Sequence, residues 1–199
     1  MKLLEQYRGL AEALLWEAHK FYTLQYQRSD GGNLSVRIPG TAYMIVKGSN
    51  VDFGSLSLDT LVIADFAGQR VEGNGKPSKE SLLHGAIYRE FAQIGAIMHC
   101  HSPWATAWAA RHEELLMATH HAGIKLGGLC PVFDTHSYVV PEEHFAGILD
   151  ILRQHPQMKS FLLRGHGQVA LGADMRDAAL TAELVEETAM IAQLSGLSG

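Results

Sequence analysis

Cysteine is nearly absent. Cys100 and Cys130 are the only two in 199 residues, too few for the disulfide framework of a small secreted domain. Long apolar runs are absent too, and nothing approaches the roughly 20 residues needed to span a bilayer. Leu3 and Leu4 give way at once to Glu5 and Gln6, which breaks any signal-peptide core. A basic stripe or tail is also missing. With a net charge of −5 there is no electrostatic footprint for nucleic acid. These absences lead us to expect a cytoplasmic protein that binds neither membrane nor nucleic acid. No internal repeat, linker or low-complexity tract divides the chain, so residues 1–199 read as a single domain with one full core.

Histidine, by contrast, is abundant: 11 residues, nine of them between His99 and His166. Residues 2–28 carry Leu3, Tyr7, Leu10, Leu14, Ala18 and Phe21 at three- and four-residue steps, which predicts one amphipathic helix. The paired glycines of SDGGNLSVR end that periodicity. NLSVRI and AYMIV then read as strands about the turn PGT, LVIAD as a third strand, and GQRVEGNGK as a loop. In PSKESLLHGAIYREFAQIG, Ser78 is the expected N-cap, and Leu83, Ile87 and Phe91 mark a helix that stops at Gly95. AIMHCH reads as a strand. Ser102 caps the next helix, with Pro103 in its first position. FLLRGHGQVALG reads as strand, turn and strand, and Asp174 opens a last helix closed by Gly196. Strands and helices alternate, but several connections are too short for parallel crossovers. The expected architecture is α/β: a mixed, largely antiparallel sheet with helices on both faces.

A strand turns residues two apart to one face, so His99 and His101 would point together and Cys100 away. Spacing alone is weak, since about 0.6 His-x-His pairs are expected by chance at this histidine frequency. Position adds to it, because the pair ends a strand just before a helix start. A catalytic metal needs three protein ligands and an open position. His166, flanked by Gly165 and Gly167, is the best third ligand. His120 and His121 form a rival pair. His84 reads as a hydrogen-bonded helix histidine, and His19, His112, His136, His144 and His155 as surface or structural residues. Trp104 and Trp108, four apart, read as core or subunit contact.

Six segments in order now carry a resemblance: GGNLSVR, VKGSN, EGNGKPSKESLLHGAIYRE, IGAIMHCHSPWAT, FLLRGHGQVALG and AELVEETAMIAQL. Together they resemble the class II aldolase/adducin family over nearly the whole chain. That family includes fuculose- and rhamnulose-phosphate aldolases, ribulose-phosphate 4-epimerase, methylthioribulose-phosphate dehydratase and 3-oxo-tetronate 4-phosphate decarboxylase. The resemblance implies a three-layer α/β/α domain and a homotetramer with sites at subunit contacts. It implies a divalent metal, usually Zn2+ (Mn2+, Co2+ or Fe2+ in its place), on His99, His101 and His166. Glu80 takes the role of acid/base, and Gly32, Asn33, Lys47, Gly48, Ser78 and Lys79 surround a substrate phosphate. The implied reaction is aldol cleavage of a small ketose phosphate through a metal-bound enediolate, with the cation as Lewis acid and Glu80 moving the proton. Decarboxylation of a phosphorylated 3-oxo sugar acid is the alternative. VKGSN and PSKE stand where the fuculose aldolases carry a Thr-Gly step and PSSE, and the lysine form resembles the decarboxylase branch. The epimerase fits least, because ATHHAGIK offers His120 or His121 where an acid is needed. A non-enzymatic module like the adducin head is a further alternative, disfavoured by retention of all three histidines and Glu80.

Overall fold

The computed structural model describes residues 2–197. Its element order is α1 (Leu3–Gln6), α2 (Arg8–Thr23), β1 (Asn33–Arg37), β2 (Tyr43–Lys47), β3 (Leu61–Asp65), β4 (Arg70–Glu72), α3 (Ser81–Glu90), β5 (Ala96–Cys100), α4 (Pro103–Ala109), α5 (His120–Lys125), β6 (Val132–Phe133), α6 (Phe145–Gln154), β7 (Ser160–Leu163), β8 (Gly167–Gly172) and α7 (Met175–Leu194). The strands form one sheet in the order β4-β3-β2-β1-β5-β8-β7-β6. Every pairing is antiparallel except β6 with β7. The expected α/β architecture with a mixed, largely antiparallel sheet is the observed one.

Period-two alternation sorts the strand residues between two cores. Leu34, Val36, Met98 and Cys100 turn to the face covered by α2 and α7. Ile97, Val169 and Leu171 turn to the face covered by α3 and α6. A third cluster joins α4 and α5 to α7 around the fully buried Trp108, with Trp104 packed at its margin. Replacing a side chain of that size by alanine costs on the order of 3–5 kcal/mol.

Four local expectations are corrected. The first helix is broken at Tyr7 and ends at Thr23 rather than near residue 28. Gln25 takes a left-handed φ of 61°, and the amides of Tyr26 and Gln27 both turn back onto the Phe21 carbonyl. Within GQRVEGNGK, Arg70–Glu72 forms an edge strand, folded back by a turn in which Asp65 Oδ1 accepts from the amides of Ala67 and Gln69. Ser78 is not the cap of α3. Its amide donates to the Lys47 carbonyl while its own carbonyl accepts from Ser81, so Glu80 takes the N-cap position. Ser102 does hold the N-cap position of α4, but its hydroxyl accepts from Gln168. The free amides of Trp104 and Ala105 are instead satisfied by the buried carboxylate of Glu186 on α7, at 2.9 and 2.8 Å. Asp174 caps α7 as expected, accepting from Asp177.

Candidate active site

β5 delivers His99 with its Nδ1 committed to the backbone. Its Nδ1–H donates to the Gln168 carbonyl across the β5–β8 ladder at 2.8 Å, which leaves the Nε2 lone pair facing the cavity. His101 follows one residue beyond the strand and His166 sits in the turn between β7 and β8. Their Nε2 atoms lie 3.1 and 3.2 Å from that of His99. Among the described residues these three are the group whose donor atoms converge closely enough to share an ion. Burial pushes all three imidazoles down to about 4, so at neutral pH they present lone pairs and no charge. Turned together toward one point, three Nε2 lone pairs would repel one another unless a cation lay among them. Nitrogens about 2.0–2.1 Å from a tetrahedral zinc stand about 3.3 Å apart, close to the observed separations. The donor set therefore fits a divalent metal.

Glu80 closes the floor of the site. It is buried, and its Oε2 lies 3.4 Å from His99 Nε2. Asn33 Nδ2 donates to the same oxygen at 3.0 Å, and the Val140 amide donates to Oε1 at 3.3 Å. The side chain makes no cap bond to its own helix. One turn further on, His84 is fully buried with Nδ1 against Ser35 Oγ at 2.8 Å, and burial pushes it down to about 3. It is the hydrogen-bonded helix histidine expected.

The histidines and Glu80 form one end of a cavity of about 240 Å³. Its walls include Gly32, Asn33, Lys47, Ser78 and Lys79 from the expected set. Lys47 is almost wholly enclosed, and burial pulls its ammonium down to about 8. It donates one bond, to the Asp30 carbonyl at 2.9 Å. Gly48 is not on the cavity wall: its amide donates to the Thr60 carbonyl, and a Cβ there would stand 2.6 Å from that oxygen. His120 and His121 start α5 away from this cavity. His121 borders a larger one of about 450 Å³ between α5 and α7, with no converging ligand set.

Several contributors escaped the sequence reading. Gln27, Ser49, Asn50, Tyr138 and the Val140 amide all touch the site or its supports. Tyr138 is exposed at the mouth, its hydroxyl 3.3 Å from Lys79 Nζ and its ring beneath that ammonium. Ser49 and Asn50 close VKGSN, one of the six resembling segments, and for Tyr138 only the polar character of DTHSY hinted at a site, which is common to surface loops.

The geometry meets independent likeness. Residues 12–193 match the Class II Aldolase and Adducin N-terminal domain. The L-fuculose phosphate aldolase of Methanococcus maripaludis is 31% identical over 175 residues, covering 87% of this chain and 90% of the relative. The methylthioribulose-1-phosphate dehydratase of Azotobacter vinelandii is 31% identical over 182 residues (85% and 86% covered). The 3-oxo-tetronate 4-phosphate decarboxylase of Haemophilus influenzae is 30% identical over 187 residues (90% and 85% covered). A solved L-fuculose 1-phosphate aldolase superposes with a TM-score of 0.84 at 26% identity, covering 94% of this chain and 86% of that one. The chain belongs to the class II aldolase/adducin family.

Proposed function

We propose that this protein is a divalent-metal-dependent lyase that cleaves the carbon–carbon bond beside the carbonyl of a small ketose phosphate. One observation carries the reading: three Nε2 atoms converge beside the buried Glu80 carboxylate at the end of a cavity that also holds Lys47. A divalent cation, zinc first among the candidates, would be held by His99, His101 and His166 and would supply a Lewis acid for the electrons released at the carbonyl. The rest falls to the chain's own groups. Glu80 holds or moves the proton, with Asn33 and the Val140 amide fixing its two oxygens. Lys47, with donors to spare beyond Asp30, draws the substrate phosphate, joined by Ser78 at the wall and Lys79 at the rim. Asn33 has its Nδ2 committed to Glu80, so in this reading it orients the acid/base rather than gripping phosphate. Gly32 lets the backbone approach the ligand, and Gly48 shapes the loop that presents Lys47.

Decarboxylation of a phosphorylated 3-oxo sugar acid is the second reading. Lys79, stacked over Tyr138 at the rim, offers a second cation for a carboxylate. A homotetramer with sites at subunit contacts and a cytoplasmic setting belong to the same proposal, drawn from the family resemblance. An adducin-head-like interaction module would not need three histidines and Glu80 arranged in this way.

The test is to strip the protein of metal, reload it with Zn2+, Mn2+, Co2+ or Fe2+, and offer ketose phosphates and 3-oxo acid phosphates with product identification. A released aldehyde supports the first reading and carbon dioxide the second. Turnover that ignores metal, or survives unchanged in His166→Ala, removes both.

A further inference from the structure

Gln27 is wholly buried although it lies in the connection between α2 and β1. Its side chain makes two bonds. Oε1 accepts from the His101 amide at 2.8 Å and Nε2 donates to the Arg28 carbonyl at 2.6 Å. Its own amide is tied to the end of α2 through the Phe21 carbonyl. We infer that Gln27 is a positioning residue of the histidine centre, holding His101 in register with His99 and His166; the inference rests on the metal reading above.

The reason lies in where the ladder stops. Asn33 pairs with His99, and continuing that antiparallel register would set Gly31 opposite His101. Gly32, with φ of 62°, turns the chain away first. The His101 amide is left beyond the strand, and the Gln27 carboxamide replaces the missing neighbour. The turn requires glycine, since a Cβ at position 32 would meet Gln27 Oε1 and stand 2.8 Å from the His99 carbonyl.

His101 depends on this support more than His99 does. The ring of His99 is oriented by its own bond to Gln168. Among the described residues His101 Nδ1 has no comparable bond. Its ring is held by walls instead: a Cβ at Gly31 would lie 2.7 Å from Cε1 and Nδ1, and one at Gly167 would lie 3.1 Å from Cδ2. Walls fix the plane of the ring, while its depth follows the backbone, and the backbone is held by Gln27. Groups that orient metal ligands typically contribute about 10–100-fold in metal affinity.

The experiment is a Co2+ titration of metal-free protein, read by the visible absorption band and by competition with a chromophoric chelator. Wild type, Gln27→Met, Gln27→Glu and His166→Ala are compared, with thermal melts of each. Gln27→Met keeps the shape and loses the acceptor; Gln27→Glu keeps an acceptor for the His101 amide. The expected result is about 10–100-fold weaker binding and an altered band in Gln27→Met, with Gln27→Glu returning most of the loss. Wild-type affinity and spectrum in Gln27→Met overturn the inference. So does equal weakening in both variants that tracks their melting temperatures, the mark of a purely structural role. If Gln27→Met does not fold, Gln27→Glu decides: near-native binding supports the inference, and lost binding with a native melt overturns it. If wild type takes no more Co2+ than His166→Ala, the metal reading itself has failed, and the inference falls with it.

Discussion

Asn33 stands directly across the β1–β5 ladder from His99, and the amide it carries is spent on Glu80. One backbone register therefore sets both a metal-ligand candidate and the partner of the acid/base candidate. Asn33→Ala should leave Glu80 held by the Val140 amide alone. The expected outcome is a fall in kcat of about 10²-fold with a smaller change in KM, as for a reacting group displaced by about an ångström. Steady-state kinetics on whichever substrate is turned over will measure it. A change confined to KM would mean that Asn33 grips the substrate instead.

Metal should stabilise the fold through the same trio. Binding to the native state alone adds about 2.7 kcal/mol at a hundredfold excess over Kd. Adding Zn2+ to the metal-free protein should raise its Tm, and His99→Ala or His166→Ala should abolish the rise. Differential scanning fluorimetry gives the answer, and an equal rise in the variants would place the ion elsewhere.

Lys47 predicts a pH dependence. Its ammonium is drawn down to about 8 by burial, so it is charged below that value and loses its charge as pH rises through it. KM for a phosphorylated substrate should climb above pH 8. In Lys47→Gln it should be higher throughout and lack that step. The fold should respond in the opposite direction. An unfolded lysine keeps its proton to about 10.5, so stability gains as pH climbs between the two values. A wild-type KM that is flat from pH 7 to 9 would remove Lys47 from the anion site.

Gly32→Ala tests the turn beneath the cavity. The left-handed φ alone costs about 1–2 kcal/mol for a non-glycine residue. The new methyl would also press on Gln27 and on the His99 carbonyl. Both a lower Tm and weaker metal binding are expected. A loss of stability with unchanged metal affinity would show that the turn and the centre are uncoupled.

Lys79 and Tyr138 address the choice between substrates. If Lys79 receives a carboxylate, Lys79→Ala should impair a 3-oxo acid phosphate far more than a ketose phosphate. Tyr138→Phe, which keeps the ring beneath the ammonium, should do less harm than Tyr138→Leu. Equal losses on both substrate classes would assign the lysine to phosphate.

What could be read beforehand follows from the range of the signals. His99 and His101 were legible as a pair because strand parity is local, and the same parity put Cys100 into the opposite core. Glu80 was legible only through the family resemblance. An N-cap at Ser78 would put it in the first turn of the helix, whereas it holds the N-cap position itself and its carboxylate meets Asn33 on β1. Gln27 was hidden inside a periodic run that the chain abandons at Thr23. Residues 111–158 carry the six-residue α5 and two-residue β6, too short for periodicity to register, so Tyr138 and the Val140 amide had no frame to be placed in. Contacts between loops distant in sequence leave no local pattern behind.

The bond from Glu186 to the first amides of α4 has a consequence for biosynthesis. α4 begins two residues after His101, and the carboxylate that seats it lies 81 positions beyond Ala105. A ribosome that has already released His99, His101 and His166 has not yet supplied Glu186. The histidine cluster is thus assembled early as chain and late as geometry. A nascent polypeptide halted inside α7 before Glu186 would carry every ligand candidate and still lack the anchor that fixes the helix behind them.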